Sequence, residues 1–314
     1  MENSLDYYVL DVFTSRRLTG NPLAVFFPPE PLTTEEMLAI AREMNLSETT
    51  FVSRRAPEIE AAEGVRVRIF TTQEELPFAG HPTLGTASLI RHLAPETLTG
   101  DTLRLALNVG PIPVVFHHPQ QAEAWPVAAE MTQRDPEFGQ LLDPEEVAAL
   151  TGLPLEALDP ALPPQVVSTG TAFAIVPLRS ADALAHLDVR QEQATAWLRA
   201  RSARWFYVLG PTGSTQPGEP LWRARMQFHG GEDPATGSAA GCAISYLVGH
   251  GAVPSAEKIH LRQGVEMERP SDLYLSARRL SQPASQDGTA PMQAGEVRVG
   301  GSTILVAMGR LFLP

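Results

Sequence analysis

The sequence predicts an α+β protein built from two similar halves. Three observations carry this. A loop of small residues that opens a helix occurs twice, as His81-Pro82-Thr83-Leu84-Gly85-Thr86-Ala87 and as Asp233-Pro234-Ala235-Thr236-Gly237-Ser238-Ala239. Each copy follows a strand-like run, Val65–Thr71 and Trp222–Phe228, and leads into an apolar helix. The order strand-strand-helix-strand-strand-helix-strand-strand then occurs roughly twice along the chain.

The elements follow from local chemistry. Tyr7–Thr14 and Leu23–Phe27 read as an opening hairpin around Gly20-Asn21-Pro22. Thr33 with Glu36 is a capping box, and Met37, Leu38, Ile40, Ala41 and Met44 give a helical stripe that ends near Asn45. A strand, Thr50–Ser53, begins just past Glu48, so two rigid elements place that side chain. Val65–Phe70 alternates cleanly, and a helix is expected over Thr83–Leu93. Leu103–Leu107 and Ile112–Phe116 form a hairpin, and Ala122–Met131 reads as a strand broken by Pro126.

The pattern restarts near residue 130. Asp143-Pro144 opens a helix that closes at Gly152. Gln165–Ser168 and Thr171–Val176 flank a Thr169-Gly170 turn, which corresponds to the Gly20-Asn21 turn of the first half. Ala181–Leu187 and Gln191–Arg201 read as helical, Trp205–Leu209 as a strand and Pro211–Pro220 as a polar loop. Asp233-Pro234 reads as an N-cap followed by the first helical residue. Lys258–Val265, Asp272–Ala277, Glu296–Val299 and Thr303–Met308 read as four strands, with a Ser/Gln/Pro/Gly-rich hairpin tip over Leu280–Gly295.

Bulk properties narrow the function. The chain has 314 residues, enough for two domains of ~150 residues. Net charge is −12 with no Lys/Arg cluster, so neither nucleic acid nor an anionic membrane is an expected partner. An anionic ligand must then be held by local amides. The single cysteine, Cys242, reads as a packed thiol, which excludes a disulfide framework and Cys-based zinc spacing. The N-terminal run lacks a basic region followed by an apolar one, and no apolar run approaches the ~20 residues of a membrane span; the expectation is a cytoplasmic protein. No P-loop, G-x-S-x-G elbow, HExxH or dinucleotide fingerprint is present.

The candidate catalytic groups are Glu48, His81 and Asp233. Gly80, Pro82, Thr236, Gly237 and Ser238 are the candidate substrate-binding residues, at two helix starts whose amides and dipoles favour anions. A carboxyl and an imidazole beside such amides suit proton transfer on a small carboxylate substrate, because charge builds on the substrate as the proton leaves. Burial beside apolar neighbours such as Phe51 is expected to raise the pKa of Glu48, so that it can hold and give a proton at neutral pH. Asp233 is expected to anchor His81 or a substrate amine rather than carry the proton. The plainer alternatives are that Asp233 and His81 only cap helices and that Ser238 only fills one.

With these residues in place, the chain resembles the phenazine-biosynthesis-like isomerases, which share the diaminopimelate-epimerase fold. The resemblance rests on Asp11-Val12-Phe13, Gly20–Val25, Leu46–Val52, Arg68–Thr71, Glu75–Gly85, Glu232–Ala239, Gln263–Met267 and Arg269–Ser271. It implies a duplicated fold, each half a barrel-like mixed or antiparallel sheet around a central helix. The expected halves are 1–127 and 128–302, the last strand (303–314) joining the first half, with the active site in the cleft between them. It implies a homodimer without a cofactor or metal, Glu48 as acid/base, and Gly80, His81, Asp233, Gly237 and Ser238 around the substrate. The family's best-known reaction isomerises trans-2,3-dihydro-3-hydroxyanthranilate on the way to phenazines. Thr72 stands where the family usually has Pro, and Glu268 where it commonly has Gly. The related epimerases use two cysteines; Ala79 and Pro234 occupy those places, which excludes two-thiol racemisation. Two alternatives stand beside the isomerase: an epimerase or racemase of an amino or hydroxy acid without catalytic cysteines, and a non-enzymatic carboxylate- or partner-binding protein.

Overall fold

The computed structural model describes residues 4–117, 124–228, 230–280 and 294–313. The chain divides into two compact units, Met1–Thr132 with Gly300–Pro314, and Gln133–Val299.

In the first unit the order is β1 (Ser4–Val12), β2 (Asn21–Phe26), α1 (Thr34–Met44), β3 (Glu48–Ser53), α2 (Pro57–Glu63), β4 (Val65–Phe70), β5 (Glu75–Leu76), α3 (Gly80–Leu93), β6 (Thr102–Leu107), β7 (Gly110–Phe116) and β8 (Val127–Thr132). The second unit holds β9 (Glu137–Leu141), α4 (Pro144–Thr151), β10 (Gln165–Ser168), β11 (Ala172–Pro177), α5 (Gln191–Arg199), β12 (Trp205–Pro211), β13 (Trp222–Arg225), β14 (Gln227–Phe228), β15 (Gly231–Glu232), α6 (Gly237–Gly249), β16 (Ile259–Gln263) and β17 (Ser271–Arg279). One long strand, β18 (Ala294–Phe312), contributes to both. It was expected as two strands, Glu296–Val299 and Thr303–Met308; the sheet carries straight through Gly300-Gly301.

The duplication is visible in the pairing. β1–β2 is antiparallel, β2–β3 parallel, β3–β4 antiparallel, β4–β6 parallel and β6–β7 antiparallel. β10–β11, β11–β12, β12–β13, β13–β16 and β16–β17 repeat that alternation step for step. In the first unit the sheet runs β1-β2-β3-β4-β6-β7-β8-β18 and closes, because β18 also pairs antiparallel with β1.

Each sheet wraps an apolar helix. Every residue of α3 from Gly80 to Arg91 is buried, and the helix packs on β1, β2, β3, β6 and β8. α6 is buried from Gly237 to Val248 against β10, β11 and β17. Small residues here serve packing as well as exposure of amides. A Cβ on Gly85 would lie 2.6 Å from Leu23 Cδ2 and 2.7 Å from Val12 Cγ2, so glycine lets α3 settle on β1 and β2. Gly241 leaves the room that the Gln133 amide fills.

Locally encoded features appear as expected. Thr33 and Glu36 form the capping box of α1, and Asn45 ends it in the left-handed region. Asp143 caps α4 and Gly152 closes it. Other expectations change. α3 begins at Gly80 rather than Thr83. The region Ala181–His186 is a 3-10 helix. Of the expected strand Ala122–Met131, only the part from Val127 is found; residues 118–123 and most of the expected hairpin tip, 281–293, lie outside the described residues. The elements α2, β5, β9 and β15 were not expected. Among the described residues, no helix is long and apolar enough to cross a membrane.

Glu268 is exposed and held at φ 57°, a conformation that costs an L side chain energy and glycine little. Glu268→Gly is expected to raise unfolding stability by about 0.5–1 kcal/mol in urea denaturation, the relief of strain exceeding the extra entropy of the unfolded chain.

Candidate active site

In the first unit three elements deliver three side chains to one place. The turn between β1 and β2 is shaped by Asp11, whose Oδ2 accepts the Leu18 N–H (2.6 Å), and by Gly20 at φ 71°, where a Cβ would lie 2.5 Å from the Val12 carbonyl. That turn sets Asn21, fully buried, at the first position of β2. Glu48 is the first residue of β3, in register with Leu23 of β2. His81 is the second residue of α3.

The side chains meet. His81 Nε2 lies 3.4 Å from Glu48 Oε2, and His81 Nδ1 lies 3.2 Å from Asn21 Nδ2. Two residues further along β3, Thr50 and Thr86 of α3 share a hydroxyl hydrogen bond (2.8 Å), so Glu48 and Thr50 both face α3. The pleat therefore turns Phe51 to the opposite face. There it stacks on Phe26 with centroids 5.4 Å apart, in the core beneath α1. The expected Phe51 contact with Glu48 is thus replaced by the imidazole of His81.

The Glu48–His81 contact has the spacing of an ion pair, but the imidazole is neutral at pH 7. Burial pushes it down from its ordinary value to about 3, against the opposing effect of a hydrogen bond to the Pro22 carbonyl. The positive end of α3 disfavours an imidazolium in the same sense. A neutral ring has one donor and one acceptor nitrogen. With its hydrogen on Nε2 the ring faces Glu48 with a donor, and with it on Nδ1 it faces Glu48 with a lone pair. Neither α3 nor α6 has a side-chain hydrogen bond at its N-cap, leaving backbone amides of the first turn to serve other acceptors. Gly80 and Pro82 are buried in that first turn of α3.

The second unit differs from expectation at its key pair. Asp233 is not the N-cap of α6, nor Pro234 its first residue; the helix begins at Gly237 with Thr236 at the cap. Asp233-Pro234 is instead a turn whose ends are tied down. The Asp233 N–H donates to the Met226 carbonyl (3.0 Å), and its Oδ2 accepts the Thr236 hydroxyl (2.6 Å). Helical geometry is delayed because Gln263 claims the groups a helix would use. Its Nε2 donates to the Asp233 carbonyl (2.8 Å), and its Oε1 accepts the Thr236 N–H (3.1 Å). Gly237 and Ser238 form the first turn of α6, both buried. The Gly237 carbonyl accepts a hydrogen bond from Gln133 Nε2 (2.9 Å). Cys242 is buried near Thr169, and burial raises its thiol to about 11, as suits a packed side chain.

Asn21, Gln133, Tyr207 and Gln263 escaped the sequence reading as site residues. The available signal was weak: Asn21 follows a glycine forced into positive φ, and Gln263 precedes another, Gly264 at φ 76°. Among the described residues no group of three His, Cys, Asp or Glu is placed to hold a metal ion.

Comparison with known proteins agrees with this architecture. The family model described as phenazine biosynthesis-like protein matches residues 10–309. A trans-2,3-dihydro-3-hydroxyanthranilate isomerase of Pseudomonas aeruginosa is 36% identical over 310 residues, covering 98% of this chain and 99% of the relative. The structure of a predicted epimerase from the same species superposes with a TM-score of 0.78 at 33% identity, covering 99% of this chain and 100% of the other. A hydroxyproline epimerase from Agrobacterium vitis shares the fold alone, with a TM-score of 0.64 at 9% identity over 100% of this chain and 94% of the other. The fold is therefore the duplicated diaminopimelate-epimerase-like one.

The neutral His81 has a measurable cost. Between pH 6.5 and about 3 the unfolded chain binds a proton on this residue that the folded chain refuses. Stability should then fall as pH drops below 6.5, with His81 contributing a slope of up to about 1.4 kcal/mol per pH unit, and no slope above it. Urea unfolding of wild type and His81→Gln at pH 7, 6 and 5 measures this. The wild type should lose stability more steeply; parallel curves would mean the imidazole is charged in the folded protein.

Proposed function

The chain belongs to the phenazine biosynthesis-like family and is an isomerase, and on that premise we propose that it moves one proton between two carbons of a small unsaturated carboxylate, with Glu48 taking and returning it. The observation that carries this reading is the 3.4 Å approach of Glu48 Oε2 to the neutral His81 at the uncapped start of α3. As a carboxylate, Glu48 removes a proton from a carbon conjugated to the substrate carboxyl group. The C–H electron pair spreads through the π system onto the carboxyl oxygens. Glu48, now an acid, delivers the proton to another carbon of that system, and the composition is unchanged.

Charge builds on the substrate oxygens midway, and fixed donors offset it. First-turn amides of α3, at Gly80 and His81, are placed to do this; loss of one such donor typically costs ~2.7–4 kcal/mol in a barrier. His81, kept neutral, lies beside Glu48 without placing a second charge there. Asp233 is read as an acceptor for a donor group of the substrate.

One proton-moving carboxyl favours this over a two-base epimerisation. β11 and β12 repeat the β2–β3 pairing, and the position matching Glu48 at the start of β12 is Trp205. The test substrate is trans-2,3-dihydro-3-hydroxyanthranilate, from the relative's name, beside a panel of small unsaturated acids. Glu48→Gln should lower kcat by at least ~10²-fold while ligand affinity stays within about tenfold. Turnover undiminished in that variant would exclude Glu48 as the shuttle.

A further inference from the structure

Four residues of the second unit form a chain of hydrogen bonds whose direction is dictated by the backbone. The Thr236 N–H can only donate, and it points at Gln263 Oε1 (3.1 Å). The Asp233 carbonyl can only accept, and it faces Gln263 Nε2 (2.8 Å). These two contacts fix which end of the Gln263 amide is oxygen and which is nitrogen. Everything else follows. The Tyr207 hydroxyl, 3.0 Å from Oε1, must donate to it. The second Nε2 hydrogen goes to Thr236 Oγ1 (3.0 Å). Thr236 has one hydroxyl hydrogen, and it goes to Asp233 Oδ2 at 2.6 Å.

We infer that Tyr207, Gln263 and Thr236 are positioning residues that hold Asp233 as an oriented, ionised hydrogen-bond acceptor before any substrate arrives. The geometry supports rigidity as well as direction. Tyr207 and Gln263 are fully buried, and Asp233 and Thr236 nearly so. Gly264 lies against this turn, where a Cβ would sit 2.6 Å from the Pro234 carbonyl. Burial raises the Tyr207 phenol well above its ordinary value, with the Asp233 charge adding to the effect, so the phenol keeps the hydrogen it donates. A proton on Asp233 Oδ2 would meet the Thr236 hydrogen head-on, so the relay opposes the neutral acid. The ion pairs on β13 are separate from this chain of bonds. Arg225 holds Glu232 through two hydrogen bonds of 2.8 and 2.6 Å, and Arg223 holds Glu266 at 2.5 Å.

The role of Asp233 in turnover rests on the isomerase reading, but the relay itself is tested in the free protein. Asp233 is followed by carbon-13 NMR of labelled aspartate, with the signal identified by its loss in Asp233→Asn. Thr236→Val removes the last donor while keeping shape, and no helix-capping bond is lost with it. Its Asp233 titration midpoint should rise by roughly half to one pH unit. Thr236→Ser should restore the wild-type midpoint. Tyr207→Phe, two bonds upstream, should raise it by less. An unchanged midpoint in Thr236→Val, or none of the shift in a folded Tyr207→Phe, would overturn the relay. Because no substrate is present, a failure here leaves the Glu48 reading untouched, and the converse also holds.

Discussion

The candidate site depends on one constraint: an imidazole buried without charge at the positive end of a helix. His81 could be made comfortable as a cation only by moving it toward water or away from the helix start, and α3 permits neither. The helix is enclosed by strands on several sides and has no side chain at Gly85 where β1 and β2 press on it. The imidazole therefore takes its partners from what the barrel offers, Asn21 and the Pro22 carbonyl from one strand and Glu48 from the next. That a carboxyl sits beside a ring able to give or take a hydrogen is a consequence of strand register: Glu48 pairs with Leu23, two residues beyond Asn21.

Duplication supplied two scaffolds with the same pairing, and the residues at matching places have taken different work. The first unit carries a carboxyl at the start of β3; the second carries Trp205 at the start of β12. The second unit commits its buried polar groups instead to Gln263, which makes four hydrogen bonds to three residues, and to Gln133, which occupies the space over Gly241. Such fully satisfied networks fix geometry where a half-satisfied one would cost stability. One unit thus sets a carboxyl beside a neutral imidazole, and the other sets one at the end of a hydrogen-bonded chain.

Features encoded within a few residues were legible in the sequence. The capping box of α1, the Asp143 cap and Gly152 stop of α4, and the alternation of β4 need no distant partner. Glu48, His81 and Asp233 were singled out by position, and the structure brings the first two together. What stayed hidden depends on distance along the chain. Asp-Pro signals both a helix entry and a turn; the turn prevails because Gln263, thirty residues later, takes the Asp233 carbonyl and the Thr236 amide. Asn21 meets His81 across sixty residues. The alternation of β3 does announce that Glu48 and Phe51 face opposite ways, and there the residue spacing was the better guide than apolar neighbourhood.

In the proposed reaction the migrating proton passes through the Glu48 carboxyl group. Running the isomerisation of trans-2,3-dihydro-3-hydroxyanthranilate in D₂O and locating deuterium in the product by NMR tests it most directly. Passage through a carboxyl that exchanges with solvent predicts deuterium at the carbon that receives the proton and nowhere else. Deuterium entering at that carbon at an undiminished rate in Glu48→Gln would contradict it.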